Sequence, residues 1–200
     1  MNRPIHVHAR HLVAENTVFS VYFDHVADAL GGNVVPRYLS VFPKHANQDG
    51  LSGVAVLPVI DGRLGLIRIF RHPLGRWSWE VPKGFIDERE SVEAAARREL
   101  IEETGLQVAS GVLQKLCVVA PEPGVIAGRI SVFVADLGAS GATPSVAATD
   151  ELGHGELLFH DRREIQRLIM NHDVEDACTL SAILVYLTFY DPVVAPPSEC

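Results

Sequence analysis

Apolar and polar residues recur with two different periods along the chain, and the changes of period mark out its elements. TVFSVYFD, from Thr17 to Asp24, alternates with a period of two and predicts a strand. VVPRYLSVFPK, from Val34 to Lys44, predicts a second strand interrupted at Pro36, with ADALGGN as the turn between the two. After a linker from His45 to Gly53, GVAVLPVI ends at Ile60, Asp61-Gly62 follows and RLGLIRIF runs to Phe70, the pattern of a hairpin closed by a type I′ turn. LQKLCVVA and GRISVFVADL predict two more strands on either side of PEPGVIA, and GELLFH predicts a short last one.

Helical periodicity takes over elsewhere. Ser91 is a good N-cap, Glu93 falls in the first turn and Gly105 stands where a C-terminus wants a left-handed residue, so a helix is expected from Val92 to Thr104. DRREIQRLIMNH predicts an amphipathic helix and VEDACTLSAILVYLTFY a closing one. The small-residue stretch from Gly138 to Thr149 is expected to be a mobile loop. These elements suit an α/β fold, a mixed sheet with a helix on each side. The expected organisation is N-terminal strands over 1–50, a main domain over 51–190 and a flexible tail over 191–200. Two strands alone are too small to be stable, so they should pack on the main domain or on a second subunit.

The first helix carries an anomaly. Glu99, Glu102 and Glu103 stand at i, i+3 and i+4 and share one face, in the directions that Val92, Ala95 and Ala96 take earlier. Carboxylates so placed repel one another. One reading is a charged surface laced by pairs such as Arg98 with Glu102. The other is a cation among them, and oxygen-only ligands suit a hard ion, Mg2+ or Mn2+, that keeps waters and recruits phosphate oxygens. An ion held by Glu99 and Glu103 can bind a diphosphate and activate a water for attack on phosphorus.

Charge sharpens that choice. The net charge is −8, and the stretch from Gly84 to Leu106, with seven carboxylates and three arginines, supplies half of it. An acidic chain argues against a nucleic-acid partner, so phosphate would arrive through bound metal. With 48% apolar and 21% charged residues, a buried core is expected. Cys117, Cys178 and Cys200 form no C-x-x-C, which argues against a disulfide framework or a zinc site, and the nine histidines are scattered. No apolar run is long enough to span a bilayer, and a cytoplasmic protein with no membrane partner is expected.

Counting from Gly84, five residues lead to Glu90 and seven more to Arg98-Glu99, followed by Leu100, Ile101, Glu102-Glu103, Thr104, Gly105 and Leu106. This spacing is similar to the Nudix box at every specified position. The resemblance implies a Nudix-type α/β/α sandwich and a metal-dependent hydrolase of nucleoside diphosphates linked to another group, X. It implies Glu99, Glu102 and Glu103 as the metal cluster, a backbone carbonyl at Lys83 and Gly84 as a further ligand, Glu102 and Glu103 as catalytic, and Glu90 with Arg98 as a structural pair.

The flanks IFRHPLGRWSWEVPKGFID, Pro123-Gly124 and DACTLSAILVYL resemble the ADP-ribose pyrophosphatase branch. That resemblance implies ADP-ribose or a related nucleotide sugar as substrate, cleaved to nucleoside monophosphate and sugar phosphate. It implies a homodimer through the N-terminal strands, Arg71 at the substrate and a late-loop glutamate, Glu151 or else Glu156, as metal ligand or base. Arg76, Lys83 and Trp79 are further substrate-binding candidates, although core packing is the plain reading of Trp77 and Trp79. Two positions depart from the branch. Val125, Ile126 and Ala127 are apolar where it often has an acid, and Lys83 replaces its usual alanine, which is reminiscent of hydrolases of dinucleoside polyphosphates or nucleoside triphosphates. A nucleotide-binding module without turnover is the remaining rival, against which stands the retention of mutually repelling glutamates.

Overall fold

The computed structural model describes residues 4–108, 113–138 and 152–190. They divide into two compact units, one running to Ser52 and taking in Ala120–Arg129, the other formed by Gly53–Val119 and the chain from Ile130 onward.

In the first unit three antiparallel strands lie in the order β1 (Ile5–Glu15), β2 (Phe19–Asp28) and β3 (Val34–Pro43). β2 and β3 are the two strands expected from the sequence and β1 is not among them, although Ile5, Val7 and Ala9 alternate with His6, His8 and Arg10 there before the period breaks at Leu12-Val13. Pairing with β2 carries the strand across that break. Arg10 donates two hydrogen bonds of 2.8 Å to Asp24 and lies over the Phe42 ring at 4.3 Å. That bonding holds the buried Asp24 carboxyl below the usual carboxylate range. Pro36 does not break β3, because β3 is an edge strand. Pro36 and Arg37 together face His25, between the pairs Asp24–Tyr38 and Val26–Val35, so the proline sits in a bulge.

Pro121–Ala127, expected only as a connection, returns to β3. Val41 donates to the Val125 carbonyl and Ala127 donates to the Val41 carbonyl, each at 2.8 Å, and the Tyr38 hydroxyl donates to the Gly124 carbonyl at 2.6 Å. Val125–Ala127, apolar where the branch often has an acid, therefore make an isolated β-bridge to Val41 through their backbone.

The second unit is built on the hairpin β4 (Leu51–Ile60) and β5 (Arg63–Arg71). Asp61 and Gly62 have φ of 50° and 70°, as a type I′ turn requires. A 3-10 turn at His72–Leu74 leads to β6 (Arg76–Glu80), which runs back along β5, and β7 (Lys83–Phe85) pairs with β4. With β8 (Leu113–Val119), β9 (Arg129–Asp136) and β10 (His154–His160) they form a mixed seven-stranded sheet, ordered β10-β5-β4-β9-β8.

Three helices complete it. α1 (Val92–Thr104) has the predicted ends, with Ser91 Oγ accepting from the Ala94 amide at 3.2 Å and Gly105 at φ 70°. α2 (Arg162–Met170) opens on a capping box of Asp161 and Glu164. α3 (Ala177–Phe189) starts later than its apolar pattern, because Asp176 takes the N-cap.

Ala55, Leu57 and Val59 of β4 meet Ile165 of α2 and Cys178, Ala182 and Ile183 of α3 in one core cluster. Burial pushes the Cys178 thiol up to about 12. Val54 and Val56, which alternate to the other face of β4, are equally buried, as are Ala95, Ala96 and Leu100 of α1, which lie outside that cluster. A strand covered on both faces needs a helical layer on each. Among the described residues no helix is long and apolar enough to cross a membrane. The expected loop from residue 139 on and the tail at 191–200 lie outside the described residues.

Candidate functional site

The acidic turn of α1 lies against β7. The Lys83 amide donates to Glu103 Oε2 at 3.0 Å, and the Glu99 carboxylate lies so close over Gly84 that any side chain there would overlap it. Gly53 of β4 makes a matching concession, since a Cβ on it would stand 2.8 Å from the Gly84 carbonyl oxygen. Gly53 was not singled out from the sequence, although a glycine inside a strand often marks such an approach. Glu99 and Glu103 are both buried, at 8% and 6% exposure, whereas Glu102 faces solvent.

Arg98 organises these acids. Its Nε and Nη2 donate to the two oxygens of Glu90 at 3.0 and 2.9 Å, and Nη2 also reaches the Phe85 carbonyl at 2.8 Å. Its Nη1 is shared between Glu99 at 2.6 Å and Glu102 at 3.1 Å. The loop leaving Gly84 is thus tied back to the helix by Glu90 through Arg98. Arg98 holds the Glu90 carboxyl below the ordinary carboxylate range. Burial pushes Glu99 the other way, above it, although Arg98 opposes the shift. Glu99 and Glu102 both turn to Arg98 while Glu103 turns to the Lys83 amide, and among the described residues no three His, Cys, Asp or Glu side chains are gathered as a metal site. The guanidinium occupies the space beside Glu99 and Glu102 and draws them toward itself.

A second charged group lies beyond Lys83. Glu80, 3% exposed, takes Arg71 through Nε at 3.0 and 3.1 Å and Nη2 at 2.7 Å, and it also takes the Lys83 ammonium. The same ammonium reaches Asp176 at 3.2 Å. Burial would raise the Glu80 carboxyl, yet Arg71 and Lys83 together hold it below its ordinary value. Asp176 accepts from the Thr179 amide at 2.8 Å and hydroxyl at 2.7 Å, and Thr179 Oγ1 accepts from the Val81 amide at 3.0 Å. This network borders a cavity of about 240 Å³.

Of the expected substrate contacts, Arg71 and Lys83 therefore meet at one cavity. Arg76 does not line the cavity but bonds a residue that does, Glu175, at 3.2 Å, and also the His172 carbonyl at 2.6 Å. Trp79 packs against the core cluster and meets His160 edge-on at 5.0 Å, on the face of β6 opposite Glu80. Glu156 is exposed on β10, and Glu151 lies outside the described residues. Glu80 and Asp176 were missed from the sequence. The alternation Trp77-Ser78-Trp79-Glu80 held the signal for Glu80, because it turns a carboxylate inward between two cations.

Residues 51–174 match the NUDIX domain family, over half of the chain. The chain is 32% identical over 131 residues to an ADP-ribose pyrophosphatase of Bacillus subtilis, covering 65% of this chain and 69% of that one. It is 49% identical over 57 residues to a mouse ADP-sugar pyrophosphatase, covering 26% of each. Across the first curated relatives it spans between 26% and 66% of the relative's length. A solved structure described as an ADP compounds hydrolase superposes with a TM-score of 0.73 at 23% identity, covering 92% of this chain and 93% of that one. A strand-loop-helix unit that sets Glu99 over Gly84 and Glu103 against the Lys83 amide, within a matching domain, makes the chain a member of the Nudix hydrolase family.

Proposed function

We propose that this hydrolase uses Mg2+ or Mn2+ to cleave the pyrophosphate of a nucleoside diphosphate sugar, ADP-ribose or a close relative, to a nucleoside monophosphate and a sugar phosphate. The observation that carries this reading is the buried Glu99 carboxylate lying over Gly84 beside the buried Glu103. Two carboxylates are kept from water there, the first bonded by Arg98 and the second by the Lys83 amide, and Gly84 leaves the room that a side chain would fill. A cradle of hard oxygen donors fits a hard divalent ion.

Glu99, Glu103 and the Gly84 carbonyl would hold that ion, with Glu102 brought in from Arg98. Once bound, it would neutralise the pyrophosphate and make an attacking water more acidic. The chain's own residues do the rest. Glu90 keeps Arg98 fixed, so the guanidinium stays beside Glu99 when a ligand competes for that carboxylate. Glu102, bonded to Arg98 at 3.1 Å and otherwise open to solvent among the described residues, would accept the proton of the water. Arg71, held by Glu80, faces the substrate. Glu151 or Glu156 would supply a further acid.

Support for a nucleotide sugar comes from the relatives that bear such names. The polyphosphate alternative rests on Lys83, whose ammonium is engaged by Glu80 and Asp176. We further propose that residues 1–50 form a dimerisation element for the hydrolase domain of 51–190. β1 supports it, with Ile5, Val7, Leu12 and Val13 each at least 50% exposed. Sedimentation of the full chain tests this, and a monomer at micromolar concentration would refute it.

The activity is tested by incubating the protein with nucleoside diphosphate sugars, dinucleoside polyphosphates and nucleoside triphosphates, with Mg2+, with Mn2+ and with chelator. AMP and ribose 5-phosphate from ADP-ribose, only with metal, are expected. Cleavage of polyphosphates alone would overturn the substrate, and full activity in chelator would overturn the cofactor.

A further inference from the structure

The cavity beside Lys83 joins the acidic turn through that one residue. The Lys83 amide holds Glu103, while its side chain enters the cavity wall between Glu80 and Asp176. Whatever occupies the cavity therefore lies about one lysine side chain from the carboxylates of α1.

The lining narrows down the occupant. Among the described residues no aromatic ring borders the cavity, so a nucleobase would find no face to stack on there. A further phosphate would meet the carboxylates of Glu80, Glu175 and Asp176, with the cations Arg71 and Lys83 already engaged by two of them. Carboxylates in that number are acceptors that suit a ligand rich in hydroxyl donors. Ser78 adds the decisive group. It is 5% exposed and lines the cavity, and its hydroxyl has no hydrogen-bond partner among the described residues. The hydroxyl is thus available at the cavity wall to bond a ligand there. The volume of about 240 Å³ falls below the range of roughly 300–1,000 Å³ for whole-ligand pockets, so one moiety enters rather than a complete nucleotide sugar.

We propose that this cavity receives the hydroxylated group X of the substrate, that Ser78 bonds one of its hydroxyls, and that the nucleobase lies elsewhere. The proposal rests on the nucleoside diphosphate sugar reading above. Ser78 is then a specificity residue, and Glu80 is a positioning residue that holds Arg71 and Lys83 at the walls.

The test compares ADP-ribose with an ADP alkyl ester, which keeps the diphosphate and base but carries no hydroxyl on X, for wild type, Ser78→Ala and Ser78→Thr. Ser78→Ala breaks no internal bond and should melt with wild type. Its kcat/KM should fall about tenfold on ADP-ribose, mainly through KM, and stay unchanged on the ester. Ser78→Thr, which keeps the hydroxyl, should retain the preference for the sugar. Equal effects of Ser78→Ala on both compounds, or none on either, would overturn the proposal while leaving the hydrolase reading intact. A wild type that cleaves no nucleoside diphosphate sugar at all would instead overturn the substrate reading, and this proposal with it.

Discussion

Gly84→Ala separates the site from the fold. Gly84 does not lie in the left-handed region, and its ladder partner is Val54 of the neighbouring strand, so the backbone accepts alanine. The new methyl would fall well inside van der Waals contact of the carboxyl carbon and both oxygens of Glu99. To restore ordinary contact the carboxylate must retreat by on the order of 1 Å, and a flexible glutamate moves more readily than a paired strand. The expected loss of stability is about 1–3 kcal/mol, as for other overpacked positions. A displacement of about 1 Å at a reacting centre lowers turnover about 10²-fold. The measurement is steady-state hydrolysis at saturating substrate, read beside a thermal melt and a circular dichroism spectrum. A Gly84→Ala protein that folds and turns over like wild type would show that the Glu99 position over Gly84 has no part in catalysis.

Glu103→Gln should lower turnover by at least about 10²-fold while the melt stays near wild type, because the amide oxygen can still accept from the Lys83 amide; unchanged activity would remove Glu103 from the site. Arg71→Ala should raise the Michaelis constant for a diphosphate substrate and cost about 3 kcal/mol of stability by chemical denaturation, the low end for breaking a buried pair since Lys83 still faces Glu80. A Michaelis constant equal to wild type would take Arg71 away from the substrate. Glu80 and Glu90 both have carboxyls held below their ordinary 4.5, so the unfolded chain takes up protons at a pH where the folded one does not. Their stabilisation should be complete above pH 4.5 and fade as the pH falls below it. Calorimetry across that limb should show a shallower decline for Glu90→Gln, and an identical slope would refute the linkage.

The sequence by itself determined whatever depends on neighbours along the chain. The ends of α1 follow from Ser91 and Gly105, the Asp61-Gly62 turn follows from residues that tolerate positive φ, and the carboxylates of α1 share a face because of helical spacing. Gly84, Glu90, Arg98, Glu99, Glu102 and Glu103 could be named as a set because they lie within one short stretch whose spacing resembles the Nudix box.

Only the tertiary structure decided what depends on partners far apart in sequence. β1 has a short alternation of its own, but that it pairs with β2, through contacts such as Arg10 with Asp24, depends on residues distant in sequence. Glu80 became the hub of a buried ion network because β5, β6 and the start of α3 converge on it, bringing Arg71 from nine residues before and setting Lys83 toward Asp176. Trp79 and Glu80, adjacent in sequence, went to opposite faces of one strand and so to core and cavity. Arg98 could be paired with Glu90 from spacing, yet its hold on Glu99 and Glu102 depends on where the loop places Glu90, which no local rule fixes. Local periodicity sets the direction of a side chain, and the folded chain sets what that side chain meets.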